Sequence, residues 1–423
     1  MESICPIHER FLGVVAFAIL MTLALPADAQ DAPPPDVLNR IIDSLGKPVP
    51  RVPPVFEVAG TDAPDPVCGL QAFGMTLANG TERQRRYNVL ADGVAPKQML
   101  VRISRLSVDA DGSERAYHPE DPSGRGVCTR AKGPDGKEKL AGICALDAFS
   151  SGGLRLYRDA GRIPLMTNAD DKDIFNPDFD REWKIAWPQI RERKLKALTL
   201  ESLTTRSVPP FYYLFYDKAR KTTALFKNNI IPTDRAGYPC LRGAESRYPG
   251  YFVAATTLQT NGAKARGDGC TPSSFIDAET VPFFVLPHAA TGGIGIGDIV
   301  IGHLKTAQGE RLVYGFAADI GPAEQFGEAS YAFARLLRAD IPEAPMNVID
   351  VYRADIGPAW LSANSATLSI LALGGTKALL RGDYSKENIE RVGRAEFAKW
   401  NGKAAPTRRL NACVAQAKDN PAH

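Results

Sequence analysis

The sequence predicts a mainly β fold with peripheral helices. Short β-branched runs recur through its second half, Gly and Pro are abundant at 37 and 32 of 423 residues, and few segments keep helical periodicity. Many short strands must hide their edges, and closing a sheet on itself does so, which makes a barrel core the expected architecture. Hydrophobic residues at 44% and charged residues at 23% are ordinary globular values and exclude collagen, coiled coil and wholesale disorder. A net charge of +3, dispersed along the chain, makes no case for a nucleic-acid partner.

At the start, Phe11 to Leu25 is an uncharged run of fifteen residues, followed by Pro26 and Ala27-Asp28-Ala29. An apolar run of that length before an A-x-A site reads as a signal peptide over residues 1–29, and it is shorter than the roughly 20 residues that span a bilayer. The expectation is a secreted or periplasmic protein with no stable membrane span, while the poorly basic start, with Glu2 and Glu9, leaves an uncleaved anchor open. Residues 30–54 are Pro-rich and read as a linker. A main domain is expected over 55–365, with a charged insertion at about 160–215, followed by a C-terminal helical extension over 366–423.

Within the main domain, Met99 to Val108 (MLVRISRLSV) has strand character and runs into the turn Asp109-Ala110-Asp111-Gly112. The charged stretch Asp170 to Leu200 predicts a surface excursion with a short helix around Gln189 to Lys196. Tyr251 to Leu258 and Phe283 to Leu286 read as strands, and Asp298 to Leu304 faces Arg311 to Ala317 across Gln308-Gly309 as a hairpin. The chain then turns at Asp319-Ile320-Gly321-Pro322, Glu328 to Leu337 carries helical periodicity, and Met346 to Tyr352 returns as a strand. Ser385 is the expected N-cap of a helix through about Trp400.

Six cysteines follow the signal: Cys68, Cys128, Cys144, Cys240, Cys270 and Cys413. An even number fits disulfides in an oxidising compartment; six allow 15 connectivities, with Cys128–Cys144 and Cys240–Cys270 the short-loop pairings. No C-x-x-C or H-E-x-x-H is present and the histidines are scattered, so no metal and no cofactor is expected. A G-x-S-x-G elbow is absent too, which argues against serine hydrolase chemistry. The Gly-rich run Gly292 to Gly297 precedes a strand and lacks the P-loop lysine, so it reads as a turn.

Carboxylates remain. Asp319 ends a strand and Glu328 follows nine residues later across a loop, the kind of pair that glycoside hydrolysis requires: one carboxylic acid protonates the leaving oxygen while the other activates water. The same two residues would also serve as a turn cap and as an acid at a helix start.

A family resemblance rests on an ordered set of blocks. Asp109-Ala110-Asp111-Gly112 is followed by Ala116-Tyr117-His118-Pro119, then Tyr248-Pro249-Gly250-Tyr251-Phe252-Val253, then Phe275 to Pro287 (FIDAETVPFFVLP), Gly297-Asp298, Ala318 to Pro322, and Gly327-Glu328-Ala329-Ser330. Together they resemble the fungal-type chitosanases of glycoside hydrolase family 75, and the hairpin followed by D-x-G-P is similar to double-psi β-barrels. The resemblance implies a six-stranded barrel core and inverting endo-hydrolysis of β-1,4-linked glucosamine polymer, with Asp319 as general base and Glu328 as general acid. Asp109, Asp111, Tyr117, Asp277 and Glu279 are the expected substrate-binding residues, since a polycationic chain calls for an acidic cleft; Tyr248 and Tyr251 are further candidates for stacking on sugar rings. The expected partner is this polysaccharide alone, met by a monomer. Two other readings stay open: a non-catalytic envelope glycan-binding protein and a peptidoglycan-cleaving barrel enzyme.

Overall fold

Alternation of side chains across one long hairpin sorts the core into two layers, and the rest of the chain is arranged around it. The computed structural model describes residues 52–59, 64–79, 83–114, 116, 130–132, 138–140, 188–198, 214–217, 222–226, 230–260, 270–287, 290–321, 325–338, 340–341, 354–402 and 406–420. The signal-like segment, Tyr117, Cys128, Cys144, the expected strand Met346 to Tyr352 and most of the charged insertion lie outside these residues.

The fold is mixed α/β and strand-rich, with a few helices on a ten-stranded mixed sheet. Its strands are β1 (Val52–Val58), β2 (Gln71–Asn79), β3 (Arg83–Ala91), β4 (Gln98–Ile103), β5 (Ser107–Asp109), β6 (Phe283–Leu286), β7 (Ile299–Thr306), β8 (Gly309–Ile320), β9 (Glu328–Ser330) and β10 (Thr367–Leu373). Across the sheet the order is β1-β2-β3-β4-β10-β7-β8-β6-β9-β5. Neighbours are antiparallel except β6 with β8 and β9 with β5, which run parallel.

The expected six-stranded double-psi barrel does not form, because the sheet is not closed into a barrel. It must nevertheless curl. Five strands lie between β4 and β5 in the sheet order, which in a flat sheet would set them about 29 Å apart, yet only Ser104 to Leu106 join them in the chain, a link that reaches at most roughly 14 Å. The edges are covered by other means. Leu106 exchanges backbone hydrogen bonds with Ile356 at 2.8 and 2.9 Å, and the Val108 N–H donates to Asp355 Oδ1 at 2.7 Å, so residues 355–356 satisfy donors and acceptors at the β5 side. At the other edge β1 carries Pro53 and Pro54, which cannot donate to a further strand.

The hairpin β7–β8 forms as its sequence predicts, in continuous register from Ile299 opposite Phe316 to Thr306 opposite Gly309. Val300 and Leu304 point into one apolar layer, with Phe333 and Leu337 of helix α1 (Tyr331–Leu337). Ile299 and Ile301 point into the other, against Phe397 and Trp400 of α3 (Lys386–Asn401) and Leu410 of α4 (Arg408–Gln416). A two-turn helix, α2 (Pro358–Ala363), follows residues 354–357. Ser385 caps α3 by accepting from the Asn388 N–H, as expected. The segment expected as a helical extension contributes α3 and α4 but also β10, which sits in mid-sheet between β4 and β7.

Four local expectations change. Met99 to Val108 is two strands rather than one, because β4 pairs with β3 and β10 whereas β5 pairs with β9. Tyr251 to Leu258 forms no strand beyond an isolated bridge of Phe252 with Leu241; its N–H groups find single partners, Val253 on Cys240 O and Leu258 on Ala318 O. Glu328 to Ser330 is strand β9, and the helix begins only at Tyr331, with Ser330 as N-cap accepting from the Phe333 N–H at 3.2 Å. In the charged insertion, the expected helix is one turn at 188–191.

Two disulfides are present among the described residues: Cys240–Cys270, a short-loop pairing read from the sequence, and Cys68–Cys413, which joins the approach to β2 to helix α4 across 345 residues of chain. Asn420 adds a polar clamp, accepting from the Asn88 N–H at 2.6 Å and donating to Asn88 O at 3.0 Å and Arg102 O at 2.8 Å. Replacing Cys68 and Cys413 together by Ala is expected to lower stability by about 2–5 kcal/mol in urea unfolding, since the cross-link restricts the unfolded chain over a very long loop.

Candidate active site

The acidic residues singled out in the sequence come from three distant segments, and the sheet brings them to one place. Strand β6 is the centre. Val285 pairs with Asp319 of β8 on one side and with Glu328 of β9 on the other. Two strand spacings put the Asp319 and Glu328 backbones about 10 Å apart. On the far side of β9, Ser330 pairs with Asp109. The D-x-D-G turn thus starts at the sheet edge next to the strand that carries Glu328.

Side chains complete the convergence. Oxygen atoms of Asp109, Asp111 and Asp319 all lie within 4.8 Å of one another. Asp319 is 6% exposed, and its Oδ1 accepts from the Thr257 N–H at 3.0 Å, the Thr257 hydroxyl at 2.5 Å and the Ile320 N–H at 2.7 Å. These donors fix the orientation of the carboxylate. Glu328 reaches over Gly321, where a Cβ would stand 2.7 Å from Glu328 Oε2 and 2.9 Å from Val285 Cγ1, so glycine leaves room for that carboxylate. Gly112 closes the other turn under a double constraint, a φ of +82° and an Ile276 carbonyl oxygen 1.9 Å from where its Cβ would be. That contact seats the D-x-D-G turn against the residue before Asp277.

Asp109 is 9% exposed, with its Oδ1 accepting from the Asp111 N–H at 2.8 Å. Burial first, then the Asp111, Asp319 and Glu328 carboxylates, push its carboxyl well above the usual carboxylate range. Asp109 and Asp319 are thus both buried, whereas Asp111 is half-buried. The sequence reading put Asp109 and Asp111 in substrate contact; the structure leaves Asp111 the more exposed of the two.

Asp277 and Glu279 form a second group beside the first. The Glu279 N–H and the Thr280 hydroxyl donate to Asp277 at 3.0 and 2.8 Å, and the Ser113 hydroxyl, two residues beyond Asp111, donates to Glu279 Oε1. Burial raises Asp277, opposed by those two donors. Tyr248 and Tyr251 are half-exposed and in mutual tilted contact at 5.3 Å between ring centroids, with the Arg247 guanidinium 5.4 Å from the Tyr248 ring. Tyr117 lies outside the described residues. Asp298, part of one family-like block, has a different role: its carboxylate accepts from the Gly295, Thr376 and Lys377 N–H groups and anchors the turn after β10. His303 is buried in the sheet, where burial lowers its pKa.

Sequence reasoning missed Thr257, Ser113, Glu114 and Arg242. None stands in a spaced motif, and only the fold shows that they surround the acids. Asp109, Asp111 and Asp319 also have the hard oxygen donors that a divalent cation takes.

No protein-family model matches this chain, and no curated protein sequence matches it. What the site can do is read from its residues: two carboxylates across one strand, a buried acid with a raised pKa beside them, and an acidic flank.

Replacing Asp109 by Asn is expected to raise the melting temperature at neutral pH. An acid whose pKa is raised on folding costs stability once the unfolded chain has ionised, near its ordinary value of about 3.9, so the gain should shrink as pH falls toward that value. Thermal scans between pH 4 and 8 check it; a constant difference would mean that Asp109 titrates alike in both states.

Proposed function

We propose that this protein is an exported glycoside hydrolase that cleaves a β-1,4-linked glucosamine polymer with inversion. The observation that carries the reading is the placing of Asp319 and Glu328 on either side of Val285, with Asp109 and Asp111 brought to them from more than two hundred residues away. In this reaction Glu328 gives its proton to the glycosidic oxygen while Asp319 takes a proton from water, which attacks C1 from the opposite face of the ring. The C1–O bond breaks, the leaving sugar departs as an alcohol, and the new reducing end has the inverted configuration. Asp111, Asp277 and Glu279 supply negative charge to meet protonated amino groups, and Tyr248 and Tyr251 offer ring faces.

Export rests on the signal-like segment and on the two disulfides, which belong to an oxidising compartment. Among the described residues no helix is long and apolar enough to cross a membrane.

A second reading, a glycan-binding protein without turnover, is favoured by one observation: at 6% exposure Asp319 leaves little room for an attacking water. Reducing-sugar release from chitosan separates the two. Cleavage is expected, and Glu328→Gln and Asp319→Asn should each lose about 10²–10⁴-fold of it while melting normally. Proton NMR of fresh product should show the inverted anomer; retention would demand a nucleophilic carboxylate at roughly 5–5.5 Å. Asp277→Asn should raise KM and largely keep kcat, the signature of lost uniform binding. Binding of chitosan oligomers without any cleavage would leave the second reading.

A further inference from the structure

Beside the Asp277–Glu279 group, against the residues that follow the D-x-D-G turn, lies a buried cation. Arg242 has a side chain only 2% exposed, with Nη1 3.6 Å from Glu114 Oε1 and Nη2 donating to the Ser113 carbonyl at 3.4 Å. Its Nε is buried with no hydrogen-bond partner. A guanidinium buried for stability alone usually has a bidentate carboxylate and satisfied donors. Arg242 instead makes long contacts and leaves one donor unmet, so its charge is shared among several carboxylates.

Its surroundings tie that charge to the site. Ser113, whose carbonyl it binds, hydrogen-bonds Glu279 through its hydroxyl. The backbone of Arg242 donates to Tyr251 O at 2.8 Å and accepts from the Gly250 N–H at 2.9 Å, which fixes it to the segment bearing the two tyrosines. Two residues earlier, Cys240 is bonded to Cys270, at the start of the segment that leads to Asp277.

We propose that Arg242 is a positioning residue: it links the D-x-D-G turn to the turn carrying Asp277 and Glu279, and so sets the placement and ionisation of the carboxylates that meet a cationic sugar chain. Electrostatics agree with the geometry. Burial pushes the guanidinium down, while Glu114, Asp277 and Glu279 hold it up; reciprocally, Glu114 raises Asp277 and Arg242 lowers it. The substrate part of this inference rests on the proposed function, whereas the linkage of Arg242 to Asp277 does not.

The test uses the full chain with Arg242→Met and Arg242→Lys. Carboxyl-carbon NMR follows the titration of Asp277 without any substrate: its midpoint should rise in Arg242→Met and return toward wild type in Arg242→Lys. With glucosamine oligosaccharides, Arg242→Met should raise KM, or the calorimetric Kd, by about tenfold with kcat within about threefold, because the groups that bind are displaced while the reacting pair is not. Arg242→Lys should recover only part of that loss, since one ammonium cannot span both turns. Removing a positive charge from an acidic cleft would by itself tighten binding of a polycation, so tighter binding, or an unmoved Asp277 titration in a folded variant, overturns the proposal. Should Arg242→Met fail to fold, Arg242→Lys together with Glu114→Gln, which is expected to lower the Asp277 midpoint, decides the same question. A wild-type protein that neither cleaves nor binds these sugars defeats the functional reading, and the Asp277 titration still judges Arg242.

Discussion

Strand β5 is three residues long, and its parallel ladder with β9 is the contact on which the acidic cluster depends. It pairs Glu328 with Ser107 and Ser330 with Asp109, and so sets the D-x-D-G turn beside the loop that follows β8. Because β4 and β5 are almost consecutive in the chain, this ladder can form only if the intervening strands wrap round. The curl is thus a geometric requirement of a short connection, and the meeting of Asp109 and Asp111 with Asp319 is its result.

A curled sheet of this kind needs support on both faces. On one, α1 brings Phe333 over Gly302 and Gly315, where a Cβ at either position would stand 2.8 Å from the ring. Ser330 coordinates the strand and the helix there: its hydroxyl accepts from the Phe283 N–H and donates to the Val281 carbonyl, besides capping α1. That one side chain ties the start of β6 to the end of β9, and with them the row that holds Asp319 and Glu328. On the other face α3 and α4 cover the hairpin, pinned by Cys68–Cys413 and by Arg409, which donates to Cys68 O and Trp400 O.

Burying several carboxylates together costs free energy, and the structure meets that cost by dividing their roles. Asp109 is buried among like charges, where the neutral form is favoured; Asp319 is oriented by three donors; Asp277 and Glu279 share the neighbourhood of a cation. Different environments for chemically identical groups are what separate acid, base and binding roles in carboxylate enzymes. The proposed chemistry draws on that separation, and so does the placement of Arg242.

The sequence by itself determined the local elements whose reasons are local. The β7–β8 hairpin follows from alternation around a tight turn, α3 from its periodicity behind Ser385, and the glycine turn that follows Asp109 from its own composition. It also marked the acids that converge, because unusual turns with carboxylates stand out in a chain. Only the tertiary structure decided that Glu328 lies on a strand, that Met99 to Val108 breaks in two, that the sheet curls without closing, and that Cys68 meets Cys413. These depend on pairing between segments distant in the chain, where a residue's partner, and not its own propensity, sets its conformation. Arg242 belongs there as well: nothing near it in the sequence signals a site, and its meaning comes from the carboxylates that folding places around it.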